Sequence, residues 1–266
     1  MSSQNSQEIE PVELTPEARF RFRCHPGVAC FNQCCAQTTI ILSPYDVLRL
    51  KRHLSLTAAE FLARHTHEMV DDFSGLPLVV LTMADGTRNY CPFLTQNGCG
   101  VYADRPATCR YYPVGVGSRW TEQGLENCYV YIREDHCQGF QEEGDWTLDS
   151  WRRAQGLDGY EEMDREWKAI MLQVGARPGK PISSRFGEHF LQAAYNLDWF
   201  RSFVFDTDFL KVFAVEPELE ARLKADEEQL LRFAFRYLRY MLRLDGALTV
   251  KMPRGCPASQ GPEEER

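Results

Sequence analysis

Ten cysteines dominate the chemistry available to this chain of 266 residues. They form two groups, Cys24-x5-Cys30-x3-Cys34-Cys35 and Cys91-x7-Cys99-x9-Cys109, followed by Cys128, Cys137 and, near the C-terminus, Cys256. Thiolates are soft ligands suited to zinc, copper(I) or iron–sulfur iron. Structural zinc usually sits on tight knuckles such as Cys-x-x-Cys, and the chain contains none. Irregular, widely separated ligands suit a larger inorganic core that meets several loops. Iron–sulfur is therefore the leading expectation, with zinc the alternative. The adjacent pair Cys34-Cys35 leaves one centre or two open. Extended backbone aims neighbouring side chains to opposite sides, whereas a tight turn lets both converge.

Eight thiols are expected to bind metal: Cys24, Cys30, Cys34, Cys35, Cys91, Cys99, Cys109 and Cys137. Cys128 lies in the strand-like run Cys128-Tyr129-Val130-Tyr131 and reads as a packing thiol. Cys256, in a polar tail, reads as a bystander. Arg105 and Arg110 flank Cys109, where a guanidinium can offset thiolate charge and tune a cluster. His25 and His136 adjoin Cys24 and Cys137 and are expected beside the metal rather than on it. No Ser/His/Asp set and no paired-carboxylate motif stands out, so catalytic residues are not assigned. No Gly-rich nucleotide loop follows a strand.

The elements that must position these residues read as follows. A flexible leader spans 1–15, a cysteine-cluster domain 16–145, a helical region 146–250 and a disordered tail 251–266. Within the second, Ser43-Pro44-Tyr45-Asp46 and Thr57-Ala58-Ala59-Glu60 are capping boxes that each start a short helix. Leu78 to Thr82 reads as a strand that turns at Ala84-Asp85-Gly86-Thr87 into Arg88 to Tyr90. A second β pair is expected from Val114 to Trp120 and Tyr129 to Arg133. Thr147-Leu148-Asp149-Ser150 opens the helices, whose apolar residues recur at helical spacing through Trp167 and again at Phe190–Phe205 and Leu219–Leu244. Gly175 to Ser184 reads as a loop between them. The fold expected is irregular α+β: a metal-organised N-terminal region of short strands and helices covered by C-terminal helices.

Composition limits the partners. A hydrophobic fraction of 44% can fill a core without cross-links, so the cysteines are not needed to rescue an underpacked domain. A net charge of −8 disfavours nonspecific nucleic-acid binding and adhesion to anionic membranes. Another protein remains the open partner class. The first ten residues hold no secretory apolar run, and the longest apolar run, Leu76 to Met83, is too short to span a bilayer. A cytoplasmic location follows as the expectation, and reduced thiols there are metal ligands more often than disulfides.

Phe22-Arg23-Cys24-His25-Pro26-Gly27-Val28-Ala29-Cys30-Phe31-Asn32-Gln33-Cys34-Cys35 resembles the opening of the YkgJ-type cysteine-cluster family, the zinc- or iron-chelating CxxCxxCC domain. The likeness continues through Leu42–Leu50, Cys91-Pro92-Phe93-Leu94, Gly98-Cys99, Arg105–Pro113 and Asp135-His136-Cys137. The gaps here are longer than in compact members. The resemblance implies a bound metal, read as an iron–sulfur centre of 4Fe–4S type with a redox or binding role. It also implies two alternatives. One is a cluster-dependent protein-lysine N-methyltransferase, from a distant similarity to flagellin lysine-N-methylase. The other is a structural zinc-binding interaction module.

Overall fold

The computed structural model describes residues 12–177, 183–245 and 248–251. Leader residues 1–11, positions 178–182 of the expected loop and most of the tail, Cys256 included, lie outside these residues. Strand β1 (Val12–Glu13) falls within the expected leader. It is followed by β2 (Arg19–Arg21), β3 (Ile41–Leu42) and helix α1 (Pro44–His53). Ser43 caps α1: its hydroxyl accepts from Asp46 N–H (3.1 Å) and its own N–H donates to the Asp46 carboxylate (2.9 Å). Thr57 and Glu60 repeat that arrangement on α2 (Ala58–His65).

Strands β4 (Thr66–Val70) and β5 (Pro77–Leu81) follow. All five residues of β5 are buried, so the strand needs partners on both edges and finds them in β3 and β4. This corrects the expected hairpin from Leu78–Thr82 into Arg88–Tyr90. Those return residues are exposed and form no strand; Tyr90 bridges to Ala36, and its carbonyl accepts from Ala84 N–H (2.8 Å). Next come the small hairpin β6 (Leu94–Thr95) and β7 (Gly98–Cys99), then the single-turn helix α3 (Ala107–Tyr111). Strands β8 (Val114–Thr121) and β9 (Gly124–Tyr131) form the second expected β pair, with the return strand starting at Gly124 rather than Tyr129 and ending before Arg133, and β1 is added to the β9 edge. Strand β10 (Asp145–Thr147) pairs with β2 and leads directly into α4 (Leu148–Ala154), capped by Thr147.

The remaining chain is helical: α5 (Asp158–Gly175), α6 (Ser184–Tyr195), α7 (Leu197–Phe205), α8 (Phe209–Val212), α9 (Pro217–Ala225) and α10 (Glu227–Met241). The broad apolar stripe on α10 is explained by its neighbours, because α5, α6, α7 and α9 all pack on it. Its Leu230, Leu231, Phe233, Phe235 and Leu238 are at most 2% exposed, and burying such a side chain stabilises by roughly 1.5–3 kcal/mol. Trp167 of α5 meets Phe190, Tyr195 and Phe235 at ring separations of 5.7, 5.5 and 6.1 Å. The same core takes in Leu48 and Leu50 of α1, Phe61 of α2 and Leu78 of β5. It therefore joins the α1–β5 segment to the C-terminal helices. The thiol-bearing loops lie against this body. Among the described residues no helix is long and apolar enough to cross a membrane.

Candidate metal centre

Five short segments bring the thiols together. Beyond β2, Phe22 N–H donates to Gly144 O (3.0 Å) and Arg23 N–H to Gly139 O (3.0 Å). These bonds lay Cys24 beside the turn that follows Cys137. From there the chain advances by tight turns, with Phe31 N–H on Val28 O (2.8 Å) and Gln33 N–H on Cys30 O (2.9 Å). Asn32 takes a left-handed conformation (φ 68°), which asparagine tolerates better than most residues, and a 3₁₀ turn over Gln33–Cys35 follows. Cys35 O then accepts from Cys91 N–H at 2.7 Å, joining the first cysteine group to the second.

Cys91 and Cys99 bracket the β6–β7 hairpin. Leu94 N–H donates to Cys91 O (3.0 Å), and Leu94 pairs with Cys99 across the ladder. Gly98 turns that hairpin with φ 109°, and a Cβ there would lie 3.2 Å from the Phe31 ring. Cys109 rides on α3. The first amide of α3, Ala107 N–H, is held by the buried Asp46 carboxylate at 2.8 Å.

All eight expected thiols line one cavity of about 370 Å³. Its wall contains no Asp, Glu or Lys; Arg23, Arg105 and His136 are its charged or chargeable members. Cys24, Cys34 and Cys109 are solvent-accessible, and all three line this cavity. Burial, with Cys34, Cys30 and Cys137 nearby, pushes the Cys24 thiol up to about 11. Burial, with Cys91, Asp46 and Cys99 nearby, pushes Cys109 up to about 12. A hydrogen bond with Cys35, followed by burial, raises Cys34, and burial raises Cys91 and Cys137. Without a cation these five thiols are held protonated, so a metal must displace their protons to bind. The donors suit that purpose: they are soft, numerous and free of competing carboxylates. Among the described residues no three His, Cys, Asp or Glu side chains converge at the spacing of a single metal ion.

The four residues expected beside the metal fall in different places. Arg105 lines the cavity, donates to Tyr102 O (2.8 Å) and Gln155 Oε1 (2.5 Å), and lies over the Tyr102 ring. His136 also lines it, with Nε2 3.7 Å from Glu134. Arg110 is buried but is not in the wall. It donates to Arg105 O (3.0 Å), Gln155 O (2.8 Å) and Ala103 O, clamping the backbone behind α3. His25 turns to Glu142 (3.2 Å) and accepts from Gly27 N–H (3.2 Å), outside the wall. Cys128 sits on β9 with its sulfur against Gly117, away from the cavity.

Three members of an aromatic wall, Phe22, Trp146 and Trp151, went unread as site residues in the sequence. Phe22, Tyr112, Trp146 and Trp151 close one side of the cavity. Trp146 Nε1–H donates to Phe22 O (2.8 Å) and Trp151 Nε1–H to Tyr111 O (2.9 Å), so both indoles are satisfied while burying their rings. Tyr112 donates to Glu134 at 2.7 Å and stands beside Cys137. No local signal announced it, because Trp146 and Trp151 reach the cavity through the pairing of β10 with the distant β2.

A wider cleft of about 560 Å³ lies between β9 and α5, lined by Glu126, Arg152, Glu161 and Lys168 among others. Arg152 and Glu161 pair with each other across it, and no thiol reaches it. Comparison with curated proteins and with solved structures finds no match. Comparison with family models does: residues 23–138, the segment that carries all eight cavity thiols, match the CxxCxxCC family model, described as "Putative zinc- or iron-chelating domain".

Proposed function

We propose that the chain is an iron–sulfur protein, with the eight cavity cysteines as ligands and a redox or binding role. The observation that carries this reading is the ring of eight thiols on a wall without carboxylates, with no three donors at single-ion spacing among the described residues. A tetrahedral zinc site draws its sulfurs to within about 3.8 Å of one another, given Zn–S bonds near 2.3 Å. An iron–sulfur core places sulfide and several irons between its thiolates and holds them farther apart. When bound, such a centre accepts and donates single electrons at a potential set by charge, hydrogen bonds to sulfur and solvent access.

The surrounding residues serve those functions. Gln138 N–H donates to Cys30 Sγ at 3.1 Å, a hydrogen bond to sulfur of the kind that tunes a cluster's potential. Arg105 brings positive charge to the side of Cys99 and Cys109. The rings of Trp146, Trp151 and Phe22 exclude water from the opposite side. Anaerobic purification followed by iron, zinc and acid-labile sulfide analysis tests the reading. Iron and sulfide in comparable amounts support it. Stoichiometric zinc in protein that refuses iron and sulfide overturns it in favour of a structural zinc module.

A further inference from the structure

We propose that the cavity holds two four-thiolate centres, one on Cys24, Cys30 and Cys137, the other on Cys91, Cys99 and Cys109, each completed by one thiolate of the Cys34–Cys35 pair. The proposal rests on the cavity being a metal site, and it does not depend on which metal binds.

Hydrogen bonds sort five of the thiols into two ends, and Cys109 joins the second by its proximity to Cys91 and Cys99. At one end, Arg23 N–H on Gly139 O (3.0 Å) fixes Cys24 next to the turn after Cys137. Gln138 N–H on Cys30 Sγ (3.1 Å) brings Cys30 to the same turn. The thiols of Cys30 and Cys137 are themselves within hydrogen-bonding reach. At the other end, Cys91 and Cys99 are the two sides of one hairpin, tied by Leu94 N–H on Cys91 O (3.0 Å) and the Leu94–Cys99 pairing. Electrostatic neighbours follow the same division. Cys24 feels Cys34, Cys30 and Cys137, whereas Cys109 feels Cys91, Cys99 and Cys34. Cys34 is the thiol common to both ends.

The Cys34–Cys35 dipeptide is placed as a bridge. Its 3₁₀ turn follows the left-handed Asn32, and Cys35 O receives Cys91 N–H at 2.7 Å, which locks the pair to the second end. Cys34 looks toward Cys24 on one side and toward Cys91 and Cys109 on the other. Ligand count and charge agree with the division. Four thiolates saturate either a structural zinc or a cubane cluster. A single such centre would leave four of the eight thiols crowded in one cavity without metal. Two centres joined through adjacent residues stand close enough to interact magnetically when both are reduced.

The test uses the full-length protein, loaded anaerobically with iron and sulfide and, separately, with zinc alone. Two centres predict about eight iron and about eight sulfide per chain, or about two zinc. Cys24→Ser and Cys99→Ser should each lose about half of the metal, with helicity unchanged by circular dichroism. The reduced iron-loaded wild type should give an electron paramagnetic resonance signal broadened by spin coupling, and each variant a simple, unsplit one. A wild-type limit of about four iron or one zinc overturns the proposal, and this count needs no variant to fold. Emptying of the whole site by either substitution in folded protein overturns it too. Uptake of about two zinc without any iron–sulfur core would sink the iron–sulfur reading and leave the two-centre division standing.

Discussion

Replacing Asp46 by alanine is expected to weaken the fold and the metal site together. The carboxylate is 2% exposed and serves two elements that are distant in sequence. One oxygen accepts Ser43 N–H at 2.9 Å, closing the capping box of α1, and the other accepts Ala107 N–H at 2.8 Å, at the start of the helix that carries Cys109. Loss of the cap costs about 1 kcal/mol. Orphaning the buried Ala107 amide costs about 1–3 kcal/mol more. Burial pushes the Asp46 carboxyl up, so removing a desolvated acid offsets part of this. A net loss of about 2 kcal/mol remains. Ser43→Ala is the control: it removes the hydroxyl that caps Asp46 N–H but leaves the Ala107 acceptor, so it should cost about 1 kcal/mol. Urea unfolding of the two reduced variants beside the wild type measures the difference, and metal analysis of the same samples should show a deficit in Asp46→Ala alone. Equal destabilisation and equal metal content in both variants would refute the claim that Asp46 anchors α3.

Cys30→Ala and Cys109→Ala should each lower metal content and stability, whereas Cys128→Ala, whose sulfur lies against Gly117 outside the cavity, should change neither; metal assay and thermal unfolding decide. Burial, reinforced by neighbouring Asp46, pushes the Asp164 carboxyl up from 3.8 to about 8. The folded state therefore holds a proton that the unfolded state has released between about pH 4 and pH 8, and stability falls as pH rises through that window. Asp164→Asn should flatten that slope and leave the protein more stable at pH 8 by a few kcal/mol, on the order of magnitude the shift implies; an unchanged slope in urea titrations from pH 5 to pH 8 contradicts it. Chelation or oxidation should raise amide exchange first across 22–37 and 90–109, with α5 and α10 protected until harsher conditions. Simultaneous loss of protection everywhere would show that the thiol loops and the helical body unfold as one unit.

Sequence reasoning reached what local chemistry controls. Ser43, Thr57 and Thr147 cap helices through partners three residues away, so their capping boxes are visible in a short window. The β8–β9 hairpin is likewise local, and its strand runs lie close together in the chain. The eight thiols stand out by type alone, and the structure collects them at one cavity. Non-local pairing was not legible. The continuous apolar run of β5 has no alternation to announce its edges, and its partners arrive from β3 before α1 and from β4 after α2. The direction of a side chain within a known segment was equally hidden. Arg110 is one residue from Cys109, yet α3 turns its guanidinium onto backbone carbonyls behind the site. Trp146 and Trp151 reach the cavity only because β10 pairs with β2, a contact spanning more than half of the described chain.

The central claim is the nature of the centre, and its most direct measurement is the content of iron, zinc and acid-labile sulfide in protein purified and handled without oxygen. Brown protein with iron and sulfide in near-equal amounts is the result expected from eight thiols spread around one carboxylate-free cavity. Colourless protein that carries stoichiometric zinc, lacks labile sulfide and takes up no iron–sulfur core on reconstitution would contradict it.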